Sequence, residues 1–303
     1  EIMLKLDLDS KYWSLYSEEI VELLDDFSKN INASTIEFSK IRDIIWDQGT
    51  CNSSFYAVIP HMIFYASKAD YEIAKELWSN IGIWVSTQEK FRCEVPEEVL
   101  TVFDNSLKFA EKKCAELLAK QIQIVYDDAR YLFPTLFSFA GHVFGHMTLS
   151  DYMAPIEGAD VATCSQGHDE EFSIFDTGIV PDGEKKEHHI IKSVDTEDFE
   201  YPFEKSSENH WSCFLDVIDE KLSGESITDP IRSHLKLARL IIANGVTSNL
   251  PVRFAFSLCG CLLYCKSSEE AANRMFHGWD IVKCKVCGEE YRFCDRWSGY
   301  DYI

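Results

Sequence analysis

Cys284-Lys-Val-Cys287-Gly sets two thiols three positions apart on a turn that a glycine can close. Such spacing aims two sulfurs at one point, and structural zinc takes four ligands of this kind in a tetrahedron. A second cysteine-started turn, Cys164-Ser-Gln-Gly-His168, offers a sulfur and an imidazole, and Cys294 follows the first pair closely. The expected metal ligands are therefore Cys284 and Cys287, completed by Cys164 and His168, with Cys294 as a further candidate. Two other readings of these residues stay open. The Cys164 turn holds only one cysteine, which fits a knuckle whose metal has been lost. A Cys-x-x-Cys pair can also be a redox dithiol, although this one does not lie between a strand and a helix.

His142-Val-Phe-Gly-His146 places two imidazoles at i and i+4, which on a helix would share one face. Zinc proteases use that spacing, but the glutamate they need beside the first histidine is Val143 in this chain. Cys261 and Cys265 repeat the spacing with thiols. Both pairs also read as core residues of buried helices, since cysteine is among the most buried residue types. No G-x-S-x-G elbow, Walker loop or glycine-rich dinucleotide turn occurs. A metal-dependent enzyme built on His142 and His146 is thus the main catalytic alternative to a non-enzymatic protein.

The elements that must position these residues read as helix after helix up to about residue 160. Ile20, Leu23, Leu24 and Phe27 keep helical spacing, as do Val99, Val102, Phe103, Leu107, Ala110, Cys114, Leu117 and Leu118. Ser34-Thr-Ile-Glu37 and Ser267-Ser-Glu-Glu270 read as capping boxes. Strand is expected mainly within Val161–Val194, including 172–175 and 189–194, and within Ile281–Phe293. Phe137-Ser-Phe-Ala-Gly141-His-Val-Phe aligns with Phe256-Ser-Leu-Cys-Gly260-Cys-Leu-Leu, and farther on Cys164 falls opposite Cys284. The expected fold is mainly α: stacked helix pairs, α-solenoid-like, in two related halves that each end in a short β turn or ribbon. Residues 1–160 would form one half, 161–206 a β-ribbon and acidic connector, and 207–303 the second half with its Cys-x-x-Cys turn.

At these residues, and at Ile45-Trp-Asp-Gln-Gly-Thr followed by a helix containing Pro60, the chain resembles bacterial helical-repeat proteins of the HEAT-like kind. Some of those act as immunity proteins of contact-dependent growth inhibition and related toxin systems. The resemblance implies a helical scaffold and a protein partner, and it transfers no catalytic residue.

Charge points the same way. The formal net charge is −22, which disfavours nucleic acid and anionic membranes and attracts basic partners. Between Asp169 and Asp229 stand eighteen acids and five bases, more than half of the whole excess. Asp195, Glu197, Asp198, Glu200 and Glu204 are the expected contacts to a basic partner, with Trp46 and Trp84 as aromatic anchors. A solvated connector is the alternative reading of the acidic run. With no long apolar run, no signal sequence in view and eleven cysteines that read as thiols, a cytoplasmic location is expected. The function expected is a non-enzymatic acidic binding protein, an immunity protein neutralising a basic, nuclease-type toxin. It needs no cofactor beyond structural zinc. A generic interaction scaffold with a zinc-stabilised end is the remaining alternative.

Overall fold

The computed structural model describes residues 18–47, 50–87, 92, 95–142, 149–153, 159–184, 190–194, 209–224 and 226–301. The chain divides into two units, Glu1–Leu117 with Thr135–His146, and Leu118–Pro134 with Met147–Ile303. The boundaries at 117/118 and 134/135 fall within helices. Among the described residues the protein is mainly helical, with small antiparallel sheets.

In the first unit, α1 (Glu18–Lys29) carries acids in its first turn and Lys29 in its last, which suits the helix dipole. Ile20, Leu23, Leu24 and Phe27 make its one buried stripe. α2 (Ile36–Ile45) is capped by Thr35, whose hydroxyl accepts from the Phe38 N–H at 3.2 Å. The expected cap at Ser34 is one residue early, because Ser34 donates through its N–H and hydroxyl to Asn32 Oδ1 in the preceding turn. A minimal hairpin of β1 (Trp46–Asp47) and β2 (Thr50–Cys51) leads to α3 (Ser54–Ala66), whose side chains are buried on nearly every face. α4 (Tyr71–Val85) begins at Asp70, which accepts from the Ile73 N–H. Consecutive helices pack on one another from α1 to α4. The core is aromatic: Phe38 stacks on Trp84 at 5.5 Å, and Phe55, Tyr56 and Phe103 meet at 5.0 to 5.6 Å.

α5 (Glu97–Lys120) and α6 (Tyr126–Phe139) each contribute residues to both units. Gly82 allows α4 to lie close against α6, since a Cβ there would stand 2.1 Å from Thr135 Oγ1.

In the second unit, α7 (Asp151–Met153) precedes β3 (Ala159–Thr163), β4 (Asp169–Phe175) and β5 (Gly178–Pro181). Then come α8 (Leu215–Leu222), α9 (Asp229–Asn244), α10 (Val252–Lys266) and α11 (Glu269–His277), again packed consecutively. α9 starts with Pro230 in its first turn and stops at Gly245, whose φ of 88° no bulkier residue takes readily. α10 is buried almost all round, and Ser268 caps α11 by accepting from the Ala271 N–H. Lys266 Nζ donates to the Ala119 and Gln121 carbonyls at 2.8 and 2.7 Å, serving the open end of α5. The chain ends in β6 (Ile281–Lys283), β7 (Glu290–Arg292) and β8 (Trp297–Asp301). One sheet has the order β5-β4-β3-β8, and β6 and β7 make a separate hairpin. Phe172, Tyr152, Phe256, Phe293 and Trp297 pack together here, with Tyr152 and Phe256 at 4.6 Å.

Two expectations change. Residues 190–194, the described part of the strand expected at 189–194, form no strand, and the Val194 N–H instead donates to Ser233 Oγ at 2.8 Å. The aligned segments around Gly141 and Gly260 are also unlike in structure. α6 has ended by Phe139 and Gly141 takes a φ of 90°, whereas Gly260 sits inside α10, where a Cβ would press on Phe276 at 2.7 Å. One glycine is needed for its backbone freedom and the other for its lack of volume.

Candidate metal centre

Two turns in the second unit build the site. β3 runs into Cys164, whose N–H donates to the His168 carbonyl at 3.0 Å while the Gly167 N–H donates to the Cys164 carbonyl at 2.9 Å. β6 runs into Cys284, whose N–H donates to the Glu289 carbonyl at 2.8 Å while the Gly288 N–H returns to the Cys284 carbonyl at 2.9 Å. Gly167 and Gly288 take φ values of 79° and 78°, the left-handed bend that both turns require. In each turn the N–H of the second ligand residue points at the first cysteine's sulfur: His168 at Cys164, and Cys287 at Cys284, both 3.4 Å. Such N–H···S contacts favour thiolate.

The four ligand atoms converge. Cys164 Sγ lies 3.3 Å from His168 Nδ1 and 3.7 Å from Cys287 Sγ, and Cys284 Sγ lies 3.7 Å from His168 Nδ1. All four lie within 4.8 Å of one another. A tetrahedron with zinc–sulfur bonds of about 2.3 Å has sulfur–sulfur edges of about 3.8 Å, so the arrangement has the size of a zinc site. Cys164 and Cys284 are buried, His168 is half-buried and Cys287 is exposed. Cys294, the alternative third ligand, is buried elsewhere, with its N–H on the Gly278 carbonyl. The repeated turn, not the nearer cysteine in sequence, completes the set.

The electrostatics match a site with one thiolate already favoured. Burial alone would push the Cys164 thiol up, but the N–H groups of His168 and Gln166 and the thiols of Cys287 and Cys284 bring it down to about 7. The Glu289 N–H favours the Cys287 thiolate, yet desolvation and the neighbouring sulfurs prevail and raise it to about 11. A second anion next to the first is disfavoured until a cation arrives.

Two glutamates that sequence reading missed lock the turns together. Glu289 Oε2 accepts from the Ser165 N–H at 2.9 Å and from its hydroxyl at 2.7 Å. Those bonds hold the Glu289 carboxyl below the usual range. Reciprocally, Glu170 Oε1 accepts from the Lys285 N–H. Each glutamate follows the second ligand of its own turn by two positions and binds the residue after the first ligand of the other. That shared offset, His168 to Glu170 and Cys287 to Glu289, was the available signal. Lys285 also pairs with Glu184 at 3.2 Å.

The other candidates fall differently. His142 lies beyond the end of α6, and His146 is outside the described residues. Cys261 and Cys265 lie in α10, where burial holds both thiols protonated, Cys265 at about 12. They serve as core. Trp84 is only 1% exposed and stacks on Phe38, so it offers nothing to a partner in this structure. Trp46 is half-buried and donates its indole N–H to Thr87 Oγ1 at 3.1 Å. Asp195, Glu197, Asp198, Glu200 and Glu204 lie outside the described residues. No described helix is long and apolar enough to cross a membrane.

Comparison of the chain with family models, curated proteins and solved structures finds no match to any of them.

Proposed function

We propose that this chain is a non-enzymatic binding protein of the cell interior whose second unit is stapled by one zinc ion on Cys164, His168, Cys284 and Cys287. The observation that carries the reading is the ligand set. Three sulfurs and one imidazole converge, and around one zinc ion they would complete a tetrahedron with no open position for water or substrate, the pattern of structural sites. This favours a scaffold over the metalloenzyme alternative.

The partner follows from charge. A net charge of −22 steers basic surfaces towards the chain and repels nucleic acid. Together with the HEAT-like resemblance, it supports an immunity protein that covers the basic active site of a nuclease-type toxin. Consecutive helix packing in each unit is compatible with stacked HEAT-like pairs. Acids from Asp195 to Glu204 would make the first contacts.

Co-expression with a basic toxin domain encoded beside this chain tests the proposal. Growth arrest by the toxin should be relieved, and the purified pair should associate more slowly as salt rises. Replacing Glu197, Asp198, Glu200 and Glu204 with lysine should lower the on-rate more than it raises the off-rate. An unprotected host, or a reversed variant that binds at the parent's rate, would remove the acidic-interface reading. Metal analysis of the purified chain should give one zinc per molecule.

A further inference from the structure

Cys287 is the exposed thiol among the described cysteines, while Cys164 Sγ, 3.7 Å from it, is buried on the other turn. Cys284, its neighbour within the Cys-x-x-Cys turn, uses its sulfur to accept the Cys287 N–H. Reagents from solvent therefore meet Cys287 first, and the partner placed to answer is 123 residues away. The turns that carry this pair are already joined by the Glu289–Ser165 and Glu170–Lys285 bonds, so the sulfurs stay in register without a metal.

We propose that Cys287 is an oxidation site for hydroperoxides and that its product is a Cys164–Cys287 disulfide, a covalent staple that replaces the metal one. In the first step the Cys287 sulfur, after giving its proton to water or buffer, attacks one oxygen of hydrogen peroxide. An S–O bond forms, the O–O bond breaks, and hydroxide leaves. In the second step the Cys164 thiolate attacks the Cys287 sulfenic sulfur, forming the S–S bond and expelling a second hydroxide. Two electrons pass from the sulfurs to the peroxide, and two protons from water or buffer neutralise the hydroxides. The release of metal rests on the zinc reading above: losing two of four ligands leaves only Cys284 and His168, too few to retain the ion. The disulfide step does not rest on it.

The experiment uses the full chain in two forms, as purified with zinc and as a chelator-stripped, reduced protein. Each is treated with hydrogen peroxide, blocked with an alkylating agent and digested without reductant for mass spectrometry. The expected result in both arms is a peptide pair linking Cys164 to Cys287, with one equivalent of zinc released in the first arm. Cys287→Ser should abolish the cross-link and slow zinc release at least tenfold. Cys164→Ser should instead leave Cys287 over-oxidised to sulfinic acid. A Cys284–Cys287 disulfide, or sulfinic acid at Cys287 of the unmutated chain, would overturn the proposal. A cross-link in the stripped arm from a protein that never binds zinc would uphold the oxidation site and reject the metal.

Discussion

The core of the first unit and the turns of the second are held by different means. α3 alone buries Phe55, Tyr56, Val58, Ile59, Met62 and Ile63, and Phe103 and Trp84 sit among similar apolar side chains. The β6–β7 hairpin has only Val282 and Tyr291 turned inward from its six strand residues, and Ile281, Lys283 and Glu290 face water. A two-stranded hairpin with so little apolar area is marginal in water. At roughly 25 cal/mol per Å², burial contributes far more to the helices than to this hairpin. Convergent sulfurs and reciprocal carboxylates do in the second region what aromatic contacts do in the first. The difference teaches where a proposed metal would matter most: at turns whose strands bury too little to make a core.

The largest effect should come from removing the staple. Stripping the metal under reducing conditions, or Cys284→Ser, should cost the second unit of order 5 kcal/mol or more, since the binding free energy of a structural zinc is folding free energy. Hydrogen exchange should then show the amides of Cys164, Gly167, Cys284 and Gly288 losing protection while those of α3 keep theirs. Equal loss in both places would break the comparison. The converse change is Trp78→Ala, which removes a ring packed edge-on against Phe139 at 5.6 Å. It should destabilise by about 3 to 5 kcal/mol and leave zinc stoichiometry at one.

How much of this was legible follows from the same contrast. The helices of the first unit announce themselves through apolar spacing, and Ile20, Leu23, Leu24 and Phe27 are buried as that spacing requires. The clustering of Cys164, His168, Cys284 and Cys287 was also readable, because the glycine-closed turns recur as Cys164 to Gly167 and Cys284 to Gly288. Glu170 and Glu289 were hidden among fifty-one acids, where no single carboxylate stands out. The end of α6 before His142 was not readable, because an apolar run says nothing about where a helix stops, and Gly141 takes a φ of 90° just past Phe139. Trp84 could be read from the sequence either as an anchor or as core, because an aromatic at a helix end can equally pack inward, as this one does on Phe38.

A third prediction moves to the sheet that carries the first turn. Asp160 of β3 is buried, and burial raises its carboxyl to about 7 although the Trp297 indole N–H, at 2.9 Å, and Arg274 oppose the shift. An unfolded aspartate titrates near 3.9, so between about pH 4 and 7 the folded chain holds a proton that the unfolded chain has lost. Stability therefore falls as pH rises through that window and stays reduced above it. Asp160→Asn removes the titration while keeping an acceptor for Trp297. Urea unfolding at pH 8 should find the variant more stable by up to about 3 kcal/mol, with the two proteins converging near pH 4. A difference independent of pH would mean that Asp160 is ionised in the fold throughout.

The smallest effect expected sharpens the comparison most, because it separates the metal from the carboxylates that brace its ligands. Glu289 makes two bonds to Ser165 and Glu170 makes one to Lys285, so the two clamps should be unequal. Partners outside the ligand shell typically change metal affinity 10- to 100-fold when lost. Glu289→Gln keeps the shape and removes the charge, and competition against a chromophoric chelator should show zinc held roughly tenfold more weakly. Glu170→Gln should fall short of that. Ser165→Ala removes one of the two Glu289 bonds and should give an intermediate loss, and combining it with Glu289→Gln should add less than the sum of the two. Additive losses would mean that Glu289 acts on the metal through its charge alone and not by fixing the Cys164 turn. Unchanged affinity in all three would leave the thiols and His168 as the whole of the site, with the glutamates reduced to surface contacts.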